Sequence, residues 1–146
     1  MTEQERDTVR LLRECDAGVK MGISSMDEVL EHIESGHMKR RLSVCREEHE
    51  ALDTELQELL DRRRDGGKEP NPIAKGMSWM KTNMKLGWDS SDRAIAELMT
   101  DGCNMGVKSL SQYLNRYRAA DGRSREIARR LIRLEEGLAQ DLRPYL

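Results

Sequence analysis

The sequence predicts an all-α protein in which residues 1–146 form a single four-helix-bundle domain. Its apolar residues recur at alternating spacings of three and four, which is the period of one face of an α-helix. Charged residues make up 36% of the chain and aromatic residues 3%, a composition typical of long amphipathic helices rather than β-sandwiches. Glycine and proline interrupt the periodic segments too often for one continuous coiled-coil rod, so a bundle is favoured.

Four amphipathic segments account for most of the chain. Their apolar stripes predict helices over residues 5–35, 37–64, 90–120 and 123–143. Gly36 separates the first two segments and Gly122 the last two, so each pair should form an antiparallel hairpin with a tight turn. Pro144 should end the last helix, because proline cannot continue the backbone hydrogen-bond ladder.

A shorter amphipathic segment lies in the connection between the two hairpins. Asn71 and Pro72 follow a run of polar and chain-breaking residues, and they are typical of an N-cap with proline at the first helical position. We therefore expect a short helix over residues 72–86, after which Asp89 or Ser90 caps the next long helix.

This short helix is a candidate partner-binding surface, because methionine side chains repack readily against different partners. The candidate contact residues are Met77, Trp79, Met80 and Met84. A basic amphipathic helix can also lie on a membrane surface, but only three lysines accompany these residues, which gives weak attraction. We favour the simpler interpretation that the short helix covers one side of the bundle.

Four stretches of the sequence carry a resemblance to known proteins. They are DAGVKMG at 16–22, KGMSWMKTNMK at 75–85, DGCNMGVKSL at 101–110 and DLRPYL at 141–146. Together with the order of two hairpins joined through a short helix, they make nearly the whole chain resemble the ferritin-like superfamily. More narrowly, the chain is similar to an uncharacterised bacterial family of ferritin-like proteins. The resemblance implies a ferritin-like bundle, whose crossover connection places the two hairpin turns at opposite ends.

The metal-binding signature of that superfamily is missing from this sequence. Metal-loaded relatives use a Glu from each of two helices and a Glu-x-x-His pair from each of the other two. Here His49 follows Arg46 where the motif needs an acid, and the last predicted helix contains no histidine. The resemblance therefore informs the fold more than the activity.

Four acidic residues that do not belong to such a motif are candidate metal ligands. They lie on or beside the apolar stripes, at similar distances along the chain from the hairpin turns. They are Asp16, Glu55, Asp101 and Asp141. If both hairpin turns lay at the same end of the bundle, these carboxylates would converge, and a hard cation such as Fe²⁺, Mn²⁺ or Ca²⁺ would offset their repulsion. Pairing with Lys20 or Arg143 is the alternative, and we favour ion-paired or solvated acids without a cofactor.

A second interior layer centres on His49, which lies on an apolar stripe between Cys45 and Leu52 and should face the core. Residues at matching distances from the turns complete the layer, which comprises Lys20, His49, Lys108, Glu135 and Glu136. It contains too few carboxylates for two metals, so we interpret it as a structural polar layer. Gly102 and Gly106 form a small-x-x-x-small pattern that should let another helix approach closely.

Charge and cysteine usage restrict the function. The 25 basic and 27 acidic residues nearly cancel, which argues against a nucleic-acid partner. The three cysteines are widely spaced and no cleavable leader or membrane-spanning run is found, so we expect free thiols in a reducing, cytoplasmic environment. The favoured function is a non-enzymatic scaffold or interaction module that forms homo-oligomers or binds a protein partner. The alternatives are a carboxylate-based protein that handles iron, manganese or peroxide, and a protein that docks to a partner or membrane surface through its methionine-rich helix.

Overall fold

A computed structural model describes residues 1–63 and 90–146, and within these ranges the chain is all-helical, without strands. The long helices are α1 (Glu3–Leu30), α2 (Gly36–Arg62), α3 (Asp92–Arg116) and α4 (Gly122–Leu142), followed by a 3₁₀ turn at Arg143–Tyr145. The all-α prediction is confirmed. The predicted short helix over 72–86, with Met77, Trp79, Met80 and Met84, lies outside the described residues.

Each long helix begins at a polar side chain that accepts a hydrogen bond from a backbone N–H of the first turn. These N-cap residues are Thr2, Ser35, Ser91 and Asp121. The expected cap of α3 at Asp89 or Ser90 is therefore wrong by one or two positions. Gly36 and Gly122 are likewise the first helical residues of α2 and α4, and the turns precede them.

The apolar stripes of the helices meet in two core clusters. One cluster joins the end of α1 and the start of α2 to the start of α3 and the end of α4, with Val29, Ile95 and Leu142 among its buried residues. The other joins the start of α1 and the end of α2 to the end of α3 and the start of α4. The α1–α2 turn and the α3–α4 turn therefore lie at opposite ends of the bundle. Within the described ranges, none of the helices combines the length and apolar character needed to cross a membrane.

Among the described helices, the packing leaves one side of the bundle open. Helices α1 and α2 pack extensively along each other, as do α3 and α4. Both α1 and α2 also pack against α4, whereas α1 and α3 touch less extensively. This arrangement leaves space between α1 and α3, above the surface of α4.

Candidate functional site

A cleft with a volume of about 470 Å³ opens between α1 and α3. Small residues line both walls, where larger side chains would otherwise fill the space. They are Ala17, Gly18, Gly22 and Ser25 on α1, and Gly102, Cys103, Gly106 and Ser109 on α3. Leu131, Glu135 and Leu138 of α4 and His49 of α2 form the floor.

The cleft is elongated and mainly apolar. Its lining runs from Glu14 to Met26 on α1 and from Met99 to Tyr113 on α3. With a rise of 1.5 Å per residue, these stretches correspond to lengths of roughly 18 and 21 Å. Methionines occur along both walls, and their flexible thioether side chains adapt to differently shaped apolar groups.

The polar part of the floor is a hydrogen-bonded pair formed by His49 and Glu135. His49 is only 1% exposed. Its Nδ1 lies 2.8 Å from the carbonyl oxygen of Cys45, which can only accept, so Nδ1 carries a proton. Its Nε2 lies 3.0 Å from Oε1 of Glu135, and the Glu135 side chain is 14% exposed. Both ring nitrogens therefore have partners within the protein.

The pair is an ion pair at neutral pH. Burial disfavours the imidazolium, but hydrogen bonds with Cys45 and Glu135 and the negative charge of Glu135 outweigh it and raise the pKa of His49 to about 10. A carboxylate at Glu135 then accepts the Nε2 proton. The second carboxylate oxygen, Oε2, lies near Gly106.

Two glycines accommodate this pair. A Cβ atom at Gly22 would lie 2.9 Å from Cδ2 and 3.0 Å from Nε2 of His49, which is too close for the ring to keep its position. A Cβ at Gly106 would lie 3.7 Å from the carboxyl group of Glu135, in ordinary contact. The imidazole therefore fits beneath α1 because residue 22 has no side chain.

Cys15 and Cys103 do not provide a reactive thiolate. All three cysteines are buried and free. Burial, followed by the nearby charge and hydrogen bonding of Glu135, raises the pKa of Cys103 far above its ordinary range. Burial, together with Glu14 and Asp16, raises the pKa of Cys15 to about 12. Because the thiolate is the nucleophile, the neutral thiols of Cys15 and Cys103 are chemically quiet.

The expected polar layer is only partly assembled. His49 and Glu135 come together, but Lys20 donates to Asp16 over 2.8 Å instead. Lys108 and Glu136 are exposed, which corrects their interior placement. The reason is rotation around the helix, since each residue turns the side chain by about 100°, and Glu136 therefore points away from the direction of Glu135.

The four candidate acids do not converge, because convergence requires both hairpin turns at one end, and here the turns lie at opposite ends. Asp16 and Glu55 belong to one half of the bundle, and Asp101 and Asp141 to the other. Asp16 also accepts from Gln57 at 2.7 Å, Glu55 pairs with Arg130 at 2.8 Å, and Asp141 pairs with Arg41. Asp101 is exposed. In the described parts of the chain, no group of three or more His, Cys, Asp or Glu side chains is arranged to hold a metal ion.

Gly102 of α3 differs from expectation in what it faces, whereas Gly106 lies against Glu135 of α4. A Cβ at Gly102 would meet nothing within 4 Å among the described residues, so this position borders the open cleft rather than a close-packed helix. The corresponding Gly-x-x-x-Gly pair on α1, Gly18 and Gly22, was not predicted to line a cleft. The signal that could have revealed the cleft is the occurrence of Gly-x-x-x-Gly on both helices.

No family model, curated protein or solved structure matches this chain. The cleft is therefore the feature of this protein that indicates a function. Its volume is within the range of small-molecule sites, which are commonly apolar and carry a few polar groups, and which occur between the helices of bundles.

Proposed function

We propose that this chain is a non-enzymatic binding protein that holds an elongated, mainly apolar small molecule in the cleft between α1 and α3. The observation that carries the proposal is the cleft, with its glycine-lined walls and a floor that closes on a hydrogen-bonded His49–Glu135 pair. Apolar surface leaving water provides the main binding energy. The few polar groups fix the orientation of the ligand.

The dimensions favour a small molecule over a partner helix. A helix is 10–12 Å wide, and α1 and α3 also touch each other, so a whole helix could not enter between them. A narrow chain-like molecule suits an opening of about 470 Å³ and the length of the lining. The protein-interaction function expected from the sequence is therefore less well supported at this site.

The hydrogen bonding and protonation of the groups that line the cleft favour binding over catalysis. Both ring nitrogens of His49 are engaged by Cys45 and Glu135, which leaves neither free to exchange a proton with a ligand. The buried Cys103 thiol stays neutral. Nucleophilic or acid–base chemistry needs a group with a pKa matched to that task.

We also propose that the helices follow the ferritin-like arrangement. The placement of the two hairpin turns at opposite ends supports it, since the end of α2 and the start of α3 then also lie at opposite ends of the bundle. The metal-handling alternative depends on carboxylates that converge. The described acids are instead spread over both halves of the bundle, so no specific observation favours that function.

A cleft-filling substitution tests the binding function. Gly102→Leu places a large side chain in the cleft, where a Cβ meets no atom of the described residues within 4 Å. Gly122→Leu is the matched control at an exposed position outside the cleft. Both changes also remove a helical glycine, so the fold should be retained. We expect the apolar fluorescent probe N-phenyl-1-naphthylamine to bind the wild-type protein and the Gly122→Leu variant equally. Binding to Gly102→Leu should be at least about tenfold weaker.

Two outcomes of this titration contradict the proposed function. One is absence of probe binding to the wild-type protein. The other is equal affinity of the wild-type protein and Gly102→Leu, with helical content confirmed by circular dichroism. Either result would show that the cleft is not the binding site of an apolar molecule.

A further inference from the structure

We infer that the ligand is a cationic amphiphile, an apolar chain with an ammonium group, and that Glu135 and Glu14 select it over anionic and neutral chains. This inference rests on the proposed binding function and adds the chemical class of the ligand. It follows from the hydrogen-bonding state of each charged group that lines the cleft.

The charged lining residues are Glu14, His49 and Glu135, and the described lining contains no Lys or Arg. With His49 as imidazolium, the sum of these charges is −1. The imidazolium is not available to an anionic ligand, because its two N–H groups already donate to Cys45 and Glu135. Glu135 uses Oε1 in that bond and also accepts from the Cys103 thiol, but a carboxylate has about four acceptor sites, so it keeps acceptor capacity beside Gly106.

A second carboxylate lies along the same groove. Glu14 interacts with the phenol of Tyr113 across the cleft, and burial together with this carboxylate raises the pKa of Tyr113. Tyr113 therefore stays protonated and can donate to Glu14, which leaves acceptor capacity on that carboxylate. Gly22 lies beside the His49–Glu135 pair. Glu14 is eight positions before Gly22 on α1, which corresponds to roughly 12 Å along the helix. An ammonium group between them meets negative charge from both sides.

The end of the cleft beyond the His49–Glu135 pair carries no charged side chain among its described residues. Its lining there includes Met26, Met99 and Leu138. An apolar chain can extend past the pair into this end while its ammonium group binds between the two glutamates. The cleft therefore has the polarity of an amphiphile, with carboxylates along one stretch and thioether and aliphatic groups at the far end.

Electrostatics disfavour anionic and neutral chains as ligands of the cleft. A carboxylate placed beside Glu14 and Glu135 would be repelled, and the low dielectric of an apolar cleft strengthens that repulsion. Buried charges need compensation by an opposite charge. An alcohol supplies a hydrogen bond but no charge, so it should bind less tightly than the ammonium and more tightly than the carboxylate.

Three ligands with the same chain separate these possibilities. Isothermal titration calorimetry at pH 7 with dodecylammonium, dodecanol and dodecanoate, each kept monomeric, compares cation, neutral and anion directly. We expect dodecylammonium to bind at least about tenfold more tightly than dodecanol, and dodecanoate to bind most weakly. Dodecanoate or dodecanol binding as tightly as the amine would overturn the inference but leave the proposed binding function in place. Failure of all three to bind would overturn both.

Charge-neutralising variants assign the preference to the glutamates. Glu14→Gln and Glu135→Gln keep the side-chain shape, and we expect each to reduce the ratio of ammonium to alcohol affinity several-fold. Glu136→Gln removes the same charge from the exposed neighbouring position on α4 and should keep the wild-type ratio. Glu14→Gln does not disturb the His49 pair, so it tests the inference even if Glu135→Gln weakens the fold. An unchanged ratio in a folded Glu14→Gln protein would contradict the assignment.

Discussion

His49 shows how three helices define one buried polar side chain. Helix α2 supplies the ring and, through the Cys45 carbonyl, the partner of Nδ1. Helix α4 supplies Glu135 for Nε2, and α1 supplies Gly22, the position at which a side chain would collide with the ring. Removing either hydrogen-bonding partner would leave a buried polar or charged group unsatisfied, which is costly.

This ion pair predicts a specific pH dependence of stability. The pKa of His49 is raised from 6.5 to about 10, so the folded protein holds a proton that the unfolded chain releases above pH 6.5. Stability from the pair is therefore fully present below about pH 6.5 and is lost as the pH rises towards 10. We expect the free energy of unfolding in urea to fall by no more than about 2 kcal/mol between pH 6.5 and 8.5.

The Glu135→Gln variant tests the origin of that slope. Without the carboxylate, burial disfavours the imidazolium, so the decline over this pH range should disappear. His37→Gln removes an exposed histidine and should keep the wild-type slope. If Glu135→Gln shows the same decline as the wild-type protein, the His49–Glu135 pair is not its source.

The interior placement of His49 was predictable from the sequence because the residue follows the apolar stripe of its helix. Counting residues from the hairpin turns predicts that Glu135 lies in the same layer as His49. The same count also places Lys108 and Glu136 in that layer. That count gives the height of a residue along the bundle but not the direction of its side chain. Lys108 and Glu136 are exposed because they lie at the right height on the wrong face.

At the scale of the elements, each turn is held by side chains from the other hairpin. The carboxylate of Asp92, in the first turn of α3, accepts hydrogen bonds from the backbone N–H groups of Glu34 and Ser35, both at 2.8 Å. Near the other end, Thr8 of α1 accepts from the N–H of Asp121 at 2.8 Å. These bonds satisfy backbone donors that the turns leave without helical partners.

Asp92→Ala should destabilise the protein by about 1.5–3 kcal/mol, because hydrogen bonds to a charged group contribute about that much. Urea unfolding gives the total effect, and amide hydrogen exchange should show faster exchange specifically at Glu34 and Ser35. Glu97→Ala, which removes a partner of an exposed ion pair with Arg93, is the control and should change stability by less than about 0.5 kcal/mol. Unchanged exchange at Glu34 and Ser35 in Asp92→Ala would contradict this role.

Helix boundaries could be predicted only approximately, for a physical reason. The apolar period continues past the end of α1 to Ile33, which is 6% exposed although it follows the helix. Ala120 is similarly buried beyond the end of α3. A buried turn residue has the same apolar character as a buried helical residue, so periodicity alone placed the helix ends at 35 and 120 rather than at Leu30 and Arg116.

At the scale of the whole molecule, the relative orientation of the hairpins determines which residues meet. The predicted apolar faces allow the turns to lie at the same end or at opposite ends. The first arrangement would bring four acids together, and the second separates them. The arrangement with turns at opposite ends also places Arg63 beside Asp121, and the two side chains form an ion pair at 2.9 Å. Apolar periodicity alone does not distinguish the two arrangements, because it gives the face of each helix but not the direction of one hairpin relative to the other.

Distances between spin labels test the orientation of the hairpins directly. Gly36 and Gly122 begin α2 and α4, and Gly122 lies near the end of α2 because of the Asp121–Arg63 ion pair. Labels on Gly36→Cys and Gly122→Cys should therefore be separated by roughly the length of α2, about 40 Å. Labels on Gly36→Cys and Arg93→Cys, both at the Asp92 end, should lie within about 20 Å, a distance of one or two helix spacings. If the turns shared one end, the distance between labels at 36 and 122 would be the short one and that between labels at 36 and 93 the long one. Double electron–electron resonance, measured with the buried native cysteines replaced, therefore distinguishes the two topologies without any ligand.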